Sequence, residues 1–301
     1  MDFDFIYNSL SETIPGLKIL RDEPMKSHTS FRIGGPARLF VEPSDEAQLV
    51  SVCRRLKELG TEPLVIGRGS NLLVRDEGFE GIVIHLGEDF ARVRVTGSSI
   101  YAEAGASLAS VASAAMQQGL TGMEFAHGIP GSLGGALFMN AGAYGGEMSQ
   151  IVEHVRYLDA EGNIREREVK DCAYGYRHSI FEDEPSVILG AKILLSEGDR
   201  EAIAARMKEL SEKRIASQPL DKPSAGSTFK RPATGYAAAM IDQSGLKGFS
   251  VGGAQVSEKH AGFVINAGDA SCADVKELMA QVQKKVFENF GVMLEPEVRI
   301  V

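Results

Sequence analysis

Glycine recurs through residues 122–146, in a stretch that carries little charge. Because glycine has no Cβ, such a segment can turn sharply and approach a ligand closely. The stretch also holds Ile, Leu, Phe and Met, which flexible glycine linkers rarely contain. Pro130-Gly131 indicates a turn, and Ser132 is a residue type that begins helices. The segment therefore favours an ordered loop of the kind that a pyrophosphate-bearing cofactor requires.

Size and charge exclude several classes of protein. The chain has 301 residues, which is enough for two or three units with their own cores. Its net charge of −9 argues against a nucleic-acid partner, which would need a basic surface. No apolar run reaches the roughly 18–20 residues of a spanning helix, and the N-terminus lacks the basic region of a signal peptide. We therefore expect a cytoplasmic protein without membrane insertion.

The residues that most often bind metals show no ligand spacing. Cys53, Cys172 and Cys272 are far apart, and no pair of cysteines is separated by two residues. The six histidines form no recognisable ligand motif. We predict free thiols, no disulfide framework and no metal site.

The hydrophobic pattern predicts an α+β fold in three parts, with boundaries 1–87, 88–197 and 198–301. A helix over residues 1–20 is expected to lead into a loop. Further helices are predicted at 45–59, 107–118, 198–216, 236–243 and 271–290. Strands are predicted at 37–41, 63–66, 82–86, 93–95, 100–104, 152–158, 164–169, 187–195 and 297–301, with a hairpin turn at 159–163.

A first short motif, residues 67–72, follows a predicted strand. Its sequence is Gly-Arg-Gly-Ser-Asn-Leu. Two glycines and a serine can present several backbone N–H groups to phosphate oxygens, although an ordinary hairpin turn explains the motif equally well. Leu72 stands where a dinucleotide fingerprint would have its third glycine, so the pattern does not favour a Rossmann fold.

Three further segments contain residues suited to chemistry. Arg177 lies among aromatic residues, where it can bind a carboxylate or simply stack at the surface. Ser227 follows Ala-Gly in a segment bracketed by Lys222 and Lys230, which we interpret as a shaped loop. Glu297 begins the last predicted strand, and alone it would be a solvated carboxylate. No histidine close in sequence or GxSxG context supports a hydrolase triad at Ser227.

Together, and in this order, these segments resemble the UDP-N-acetylenolpyruvoylglucosamine reductase family. The resemblance runs from residues 28–35 to Glu297 and includes 67–72, 128–144, 225–229 and 252–266. It implies a two-lobed FAD-binding module of the vanillyl-alcohol-oxidase (PCMH) type, followed by a C-terminal α+β substrate domain. It also implies NADPH-dependent reduction of UDP-N-acetylglucosamine enolpyruvate to UDP-N-acetylmuramate, a step of bacterial peptidoglycan precursor synthesis.

The resemblance assigns roles to individual residues. FAD would lie between the lobes without a covalent bond, and NADPH would donate the hydride. The implied cofactor contacts are Gly67, Arg68, Gly69, Ser70, Asn71, Leu72, Gly131, Ser132, Gly135 and Asn140. The implied catalytic residues are Arg177 for the substrate carboxylate, Ser227 as proton donor and Glu297 beside the same intermediate. The implied substrate contacts are Lys230, Arg231 and His260.

The chain also resembles the shorter form of this family. There is little room between Arg177 and Ser227 for the extra tyrosine-bearing loop of the longer form. Arg231 and His260 stand where the longer form has amide side chains, so their roles are the least defined. Two alternatives remain: an oxidase of the same flavin fold that acts on a small alcohol, and a non-catalytic flavin- or nucleotide-binding protein.

Overall fold

The computed structural model describes all 301 residues, and the chain divides into two compact units. The first unit comprises residues 1–21, 39–68 and 81–213, and the second comprises residues 22–38, 69–80 and 214–301. Two segments from the N-terminal part of the sequence therefore belong with the C-terminal part. The division into three parts at residues 87 and 197 stays a prediction.

The chain forms seven helices and nineteen strands, most of them short. The helices are α1 (Phe3–Thr13), α2 (Glu46–Glu58), α3 (Leu108–Gln117), α4 (Leu133–Phe138), α5 (Arg200–Ser217), α6 (Ala237–Gln243) and α7 (Cys272–Phe290). The strands are β1 (Lys18–Pro24), β2 (Pro36–Glu42), β3 (Leu64–Ile66), β4 (Leu72–Leu73), β5 (Phe79–His85), β6 (Val93–Thr96), β7 (Ser99–Glu103), β8 (Leu120–Thr121), β9 (Gly142–Ala143), β10 (Gly146–Glu147), β11 (Val152–Leu158), β12 (Ile164–Glu168), β13 (Val187–Leu194), β14 (Ser196–Glu197), β15 (Ser224–Ser227), β16 (Ser250–Val251), β17 (Ala254–Val256), β18 (Phe263–Asn266) and β19 (Arg299–Ile300). None of the helices has both the length and the apolar character that crossing a membrane requires.

The first unit is built on two larger sheets. One sheet has the strand order β1-β2-β5-β3, in which β3 and β5 are parallel. The other is antiparallel with the order β12-β11-β13-β7-β6. Helix α2 contributes Leu49, Val52 and Leu56 to the core of this unit, at the spacing of one helix face. The predicted hairpin at 159–163 is confirmed, because β11 and β12 pair with Leu158 opposite Ile164.

The second unit has its own core beneath a smaller antiparallel sheet with the order β15-β18-β17-β16. Helix α7 covers this core with Val275, Leu278, Val282 and Val286, all buried. The helix begins at a capping box formed by Ser271 and Asp274, and it ends at Gly291, which has a φ of 67°. The helix predicted over 271–290 is therefore confirmed.

Two sequence-based expectations about elements are wrong. The predicted loop after the first helix contains strand β1, which lies at the edge of its sheet and is mostly exposed, so its hydrophobic pattern is weak. The segment around Ser227, interpreted as a loop, contains strand β15. The glycine that suggested a loop lies instead in a β-bulge, because Gly226 has a φ of 75° within a paired strand.

Candidate active site

The two glycine segments predicted to contact the FAD diphosphate meet within the first unit. Gly67 directly follows strand β3, and Ser132 begins helix α4. A Cβ built on Gly67 would lie only 2.0 Å from Oγ of Ser132. Ser132 is itself buried, so its side chain has little room to move away. The close packing of these segments therefore requires glycine at position 67.

Backbone hydrogen bonds hold the Ser132 segment firmly against the end of β7. The N–H groups of Leu133 and Gly134 donate to the carbonyls of Ala106 and Ala104, at 2.8 Å each. The Ser132 hydroxyl accepts a long hydrogen bond of 3.5 Å from the N–H of Gly135, which is exposed. The loop is thus held by hydrogen bonds of the protein's own backbone and of Ser132. A rigid glycine loop next to Gly67 fits the close backbone approach that a dinucleotide diphosphate needs.

Residues 69–72 of the same motif belong to the second unit, where they are bound to the C-terminal segment. Nδ2 of Asn71 donates to the carbonyl of Glu297 at 3.1 Å. The N–H of Arg299 donates to the carbonyl of Asn71 at 3.0 Å, and β4 and β19 pair in parallel. Asn71, predicted to contact FAD, therefore also fixes the backbone of the predicted catalytic Glu297.

Gly69 is held from its other side by the segment at residues 28–30. Its φ is 57°, and a Cβ on it would lie 2.1 Å from the carbonyl oxygen of His28. The Ser30 N–H donates to the Gly69 carbonyl at 3.3 Å, while the Ser30 hydroxyl donates to the carbonyl of Ser224 at 2.6 Å. Ser30 thus connects the glycine motif with the strand that carries Ser227.

Ser227 is exposed and lies directly after a bulge in β15. Ser224 pairs with Ile265 and Ser227 pairs with Phe263, so two residues of β15 lie between these pairs where β18 has one. Such a bulge leaves one residue unpaired and bends the strand. The bulge at the Ala-Gly pair therefore sets the direction of the strand at Ser227.

Thr228, which no sequence motif singled out, fixes the backbone next to Ser227. Its hydroxyl accepts from the Val264 N–H at 2.9 Å, and its N–H donates to the Gly262 carbonyl at 2.8 Å. Its carbonyl accepts from the N–H of Glu297 at 2.8 Å. Two residues further on, the Lys230 N–H donates to the carbonyl of Glu295 at 2.8 Å. These bonds pair residues 228–230 with residues 295–297 in antiparallel fashion, so the backbone of Glu297 lies beside Thr228, the residue after Ser227.

Arg177 lies in the first unit, at the tip of a tight turn. Gly175 and His178 pair across the turn, and Arg177 has a φ of 54°, which is unusual for a residue with a side chain. Its guanidinium donates to the carbonyl of Gly142 at 3.2 Å and lies 5.0 Å from the ring centre of Tyr176. The turn therefore holds a guanidinium beside the end of the glycine-rich segment.

The predicted substrate contacts differ in how firmly they are held. The guanidinium of Arg231 stacks on the exposed ring of Tyr236, 4.8 Å from its centre. Nδ1 of His260 accepts a hydrogen bond from the Gly262 N–H at 3.2 Å, and burial lowers the pKa of this imidazole. The neutral form of His260 therefore predominates at pH 7. The substrate roles of Lys230, Arg231 and His260 stay predictions.

The three cysteines are free, and burial raises the pKa of each thiol, to about 12 for Cys53 and to about 11 for Cys172. None of them is therefore a thiolate at neutral pH. No three His, Cys, Asp or Glu side chains are grouped in a way that could hold a metal ion.

Comparisons with known proteins identify the family of this chain. Residues 37–167 match the family model described as FAD binding domain, and residues 218–301 match UDP-N-acetylenolpyruvoylglucosamine reductase, C-terminal domain. The reductase of Clostridioides difficile is 47% identical over 98% of this chain and 97% of that protein. The reductase of Caldanaerobacter subterraneus is 46% identical over 99% of this chain and 98% of that protein. The crystal structure of the reductase from Thermus caldophilus has a TM-score of 0.81 and 32% identity, covering 94% of this chain and 98% of that one.

The fold and the matched domains define an FAD-dependent oxidoreductase with an α+β flavin-binding module. The near full-length identity to curated relatives makes the assignment narrower: the chain belongs to the UDP-N-acetylenolpyruvoylglucosamine reductase family. The predicted family, fold class and FAD cofactor are thereby confirmed. The roles of single residues stay predictions.

Proposed function

We propose that this protein reduces the enolpyruvyl group of UDP-N-acetylglucosamine enolpyruvate to give UDP-N-acetylmuramate, with NADPH as the hydride donor. The proposal is carried by the identity of 44–47% that extends over almost the whole chain to relatives bearing the reductase name. When bound, FAD supplies the hydride chemistry between NADPH and the terminal carbon of the enolpyruvyl group. The protein supplies binding, orientation and a proton. The enzyme would act in the cytoplasm, where NADPH is available.

Arg177 is assigned to the substrate carboxylate. Addition of hydride to the terminal carbon leaves negative charge on the neighbouring carbon, and this charge spreads into the carboxylate. A guanidinium held in advance at that carboxylate stabilises the charge without reorganising during the reaction. The bond from Arg177 to the Gly142 carbonyl and the contact with Tyr176 support this assignment, because both restrict the side chain.

Ser227 is assigned to deliver the proton that completes the reaction. Its hydroxyl proton goes to the carbon that carries the negative charge, so that one hydride and one proton are added across the double bond while NADPH is oxidised. A serine is a weak acid, but an enolate is a base strong enough to accept its proton. Glu297 acts beside the same intermediate, and its pairing with Thr228 supports a place close to Ser227.

Stopped-flow absorbance of the flavin tests these assignments by separating the two half-reactions. We expect Ser227→Ala to retain the rate at which NADPH reduces the flavin. The rate at which the enolpyruvyl sugar reoxidises the flavin is expected to fall about 10²-fold or more. Ser224→Ala, on the same strand, is the matched control and is expected to retain both steps. Equal slowing of both steps in Ser227→Ala would rule out the proton-donor role.

Steady-state turnover tests the proposed reaction as a whole. We expect oxidation of NADPH that depends on UDP-N-acetylglucosamine enolpyruvate, and slower oxidation of NADH at equal concentration. A protein that binds FAD but oxidises NADPH no faster with this sugar than without it would contradict the proposed substrate. Equal rates with NADPH and NADH would contradict only the choice of the nicotinamide cofactor.

A further inference from the structure

Asn140 lies at the end of the glycine-rich segment, and both ends of its side-chain amide are bound to backbone groups. Nδ2 donates to the carbonyl of Gly175 at 3.0 Å, and Oδ1 accepts from the N–H of Ser149 at 2.9 Å. The residue is 1% exposed and has a φ of 43°, a conformation that asparagine tolerates better than most residues. The amide thus forms hydrogen bonds with two separate segments of the first unit.

The bond from Asn140 is the middle one of three that attach the Arg177 turn to residues 138–142. The Ser179 hydroxyl donates to the Phe138 carbonyl at 2.7 Å, next to the turn. Asn140 holds Gly175 at the base of the turn, and Arg177 itself donates to the Gly142 carbonyl at 3.2 Å. The turn is therefore attached at its two ends and through its tip.

Strained backbone is concentrated at this attachment. Seven non-glycine residues of the chain have a positive φ, and four of them are Asn140, Tyr144, Ala173 and Arg177. Such conformations persist only where surrounding contacts hold them, and they tend to occur where a side chain must be presented in one orientation. The bonds of Asn140 are among the contacts that hold the Arg177 turn in this form.

We propose that Asn140 is a positioning residue that orients Arg177 towards the substrate carboxylate and does not bind the cofactor. This inference rests on the proposed function, in which Arg177 is the carboxylate-binding residue. It replaces the expectation from sequence that Asn140 contacts FAD. A buried amide bonded at both ends to the protein backbone acts through the turn that it holds.

Asn140→Gly is the first variant, because glycine accepts the positive φ while the side chain with its amide is removed. Asn140→Asp is the second variant: it keeps an acceptor for the Ser149 N–H but has no donor for the Gly175 carbonyl. Asn163→Gly, which removes an amide from the β11–β12 hairpin, is the control. The melting temperature and the FAD content of each purified variant establish that it is folded and loaded.

The experiment is a double-mutant cycle with Arg177→Ala, measured as reoxidation of the reduced flavin by the enolpyruvyl sugar. We expect Asn140→Gly to slow this step about 10-fold to 100-fold in the wild-type background, since a small displacement of a catalytic group has effects of this size. In the Arg177→Ala background we expect Asn140→Gly to slow reoxidation by less than about twofold, because the guanidinium that Asn140 orients is already absent. FAD affinity, the flavin spectrum and reduction by NADPH are expected to stay unchanged.

Amide hydrogen exchange gives a readout that needs neither FAD nor substrate. In apoprotein, we expect residues 175–179 to exchange about fivefold faster in Asn140→Gly and in Asn140→Asp, and at the original rate in Asn163→Gly. Unchanged exchange would overturn the proposal. So would equal slowing in both backgrounds of the cycle, or a weaker affinity for FAD. Absence of turnover in the wild-type enzyme would instead contradict the proposed function and leave the exchange result to decide whether Asn140 holds the turn.

Discussion

Gly67 shows how a single missing methyl group can shape a cofactor site. Its backbone is not in the left-handed region, so its need for glycine comes from space alone: Oγ of Ser132 would be 2.0 Å and Cβ of Ser132 2.9 Å from an added Cβ. Sequence reasoning selected both residues as separate contacts of one diphosphate. The structure adds that each residue sets the position of the other.

We therefore predict that Gly67→Ala weakens FAD binding by at least about tenfold, since the loop must move for the methyl group to fit. Titration of apoprotein with FAD, followed by flavin fluorescence, measures the affinity. Gly268→Ala is the control, because Gly268 has no positive φ and no atom within 4 Å of an added Cβ. The double variant Gly67→Ala/Ser132→Gly is expected to regain part of the affinity. Unchanged binding in Gly67→Ala would contradict the steric argument.

His260 gives a prediction about pH. Burial lowers its pKa from the ordinary value of 6.5, so the unfolded chain takes up the proton at a higher pH than the folded chain does. Well above pH 6.5, His260 is neutral in both states and its titration does not change the free energy of unfolding. As the pH falls from 6.5 to the folded-state pKa, the unfolded chain binds the proton first, so the free energy of unfolding decreases. We expect urea unfolding of His260→Gln to depend less on pH between about 7.5 and 5 than that of the wild type. The same pH dependence in both proteins would contradict this prediction.

Helix α7 illustrates what the sequence reveals about an element and what it omits. Ser271 and Asp274 predict the start of the helix, and the structure confirms the capping box. A third group also binds the first turn: the carboxylate of Asp76 accepts the N–H groups of Cys272 and Ala273, at 2.7 and 2.9 Å. Asp76 is almost 200 residues away in sequence, so no local motif includes it.

We predict that Asp76→Ala lowers the free energy of unfolding by about 1–2 kcal/mol, because two N–H groups at the start of α7 lose a charged acceptor. The midpoint of urea denaturation measures the change. Glu77→Ala, at the exposed neighbouring position, is the control and is expected to change stability by less than about 0.5 kcal/mol. Equal effects of the two variants would show that Asp76 does not stabilise the helix.

The predictions of elements succeeded where a local pattern was strong. Helix α2, with its apolar residues on one face, and the β11–β12 hairpin, with its turn residues, both occur where the sequence placed them. Strands β17 and β18 were not predicted, and β19 covers only two residues of the strand expected at 297–301. Short strands contain too few residues to show an alternating pattern, so their pairing depends on partners elsewhere in the chain.

At the scale of the whole molecule, bound FAD is expected to stabilise the folded chain. A ligand that binds only the folded state, present at about 100 times its dissociation constant, adds about 2.7 kcal/mol to the free energy of unfolding. We predict that FAD raises the melting temperature of apoprotein by several degrees in scanning calorimetry. Riboflavin, which lacks the diphosphate, is the comparison and is expected to have a much smaller effect. Equal shifts with both flavins would contradict a site built around the diphosphate.

The amino-acid sequence by itself determined the class of fold, the family and the FAD cofactor. They follow from the resemblance of short motifs along the chain to the reductase family, and such motifs can be read directly because their residues lie next to each other. Only the tertiary structure decided that the carbonyl of Thr228 accepts from Glu297, that Asp76 caps α7 and that Asn140 holds the Arg177 turn. Each of these bonds joins segments distant in sequence, and no local period or composition specifies which donor will meet which acceptor after folding.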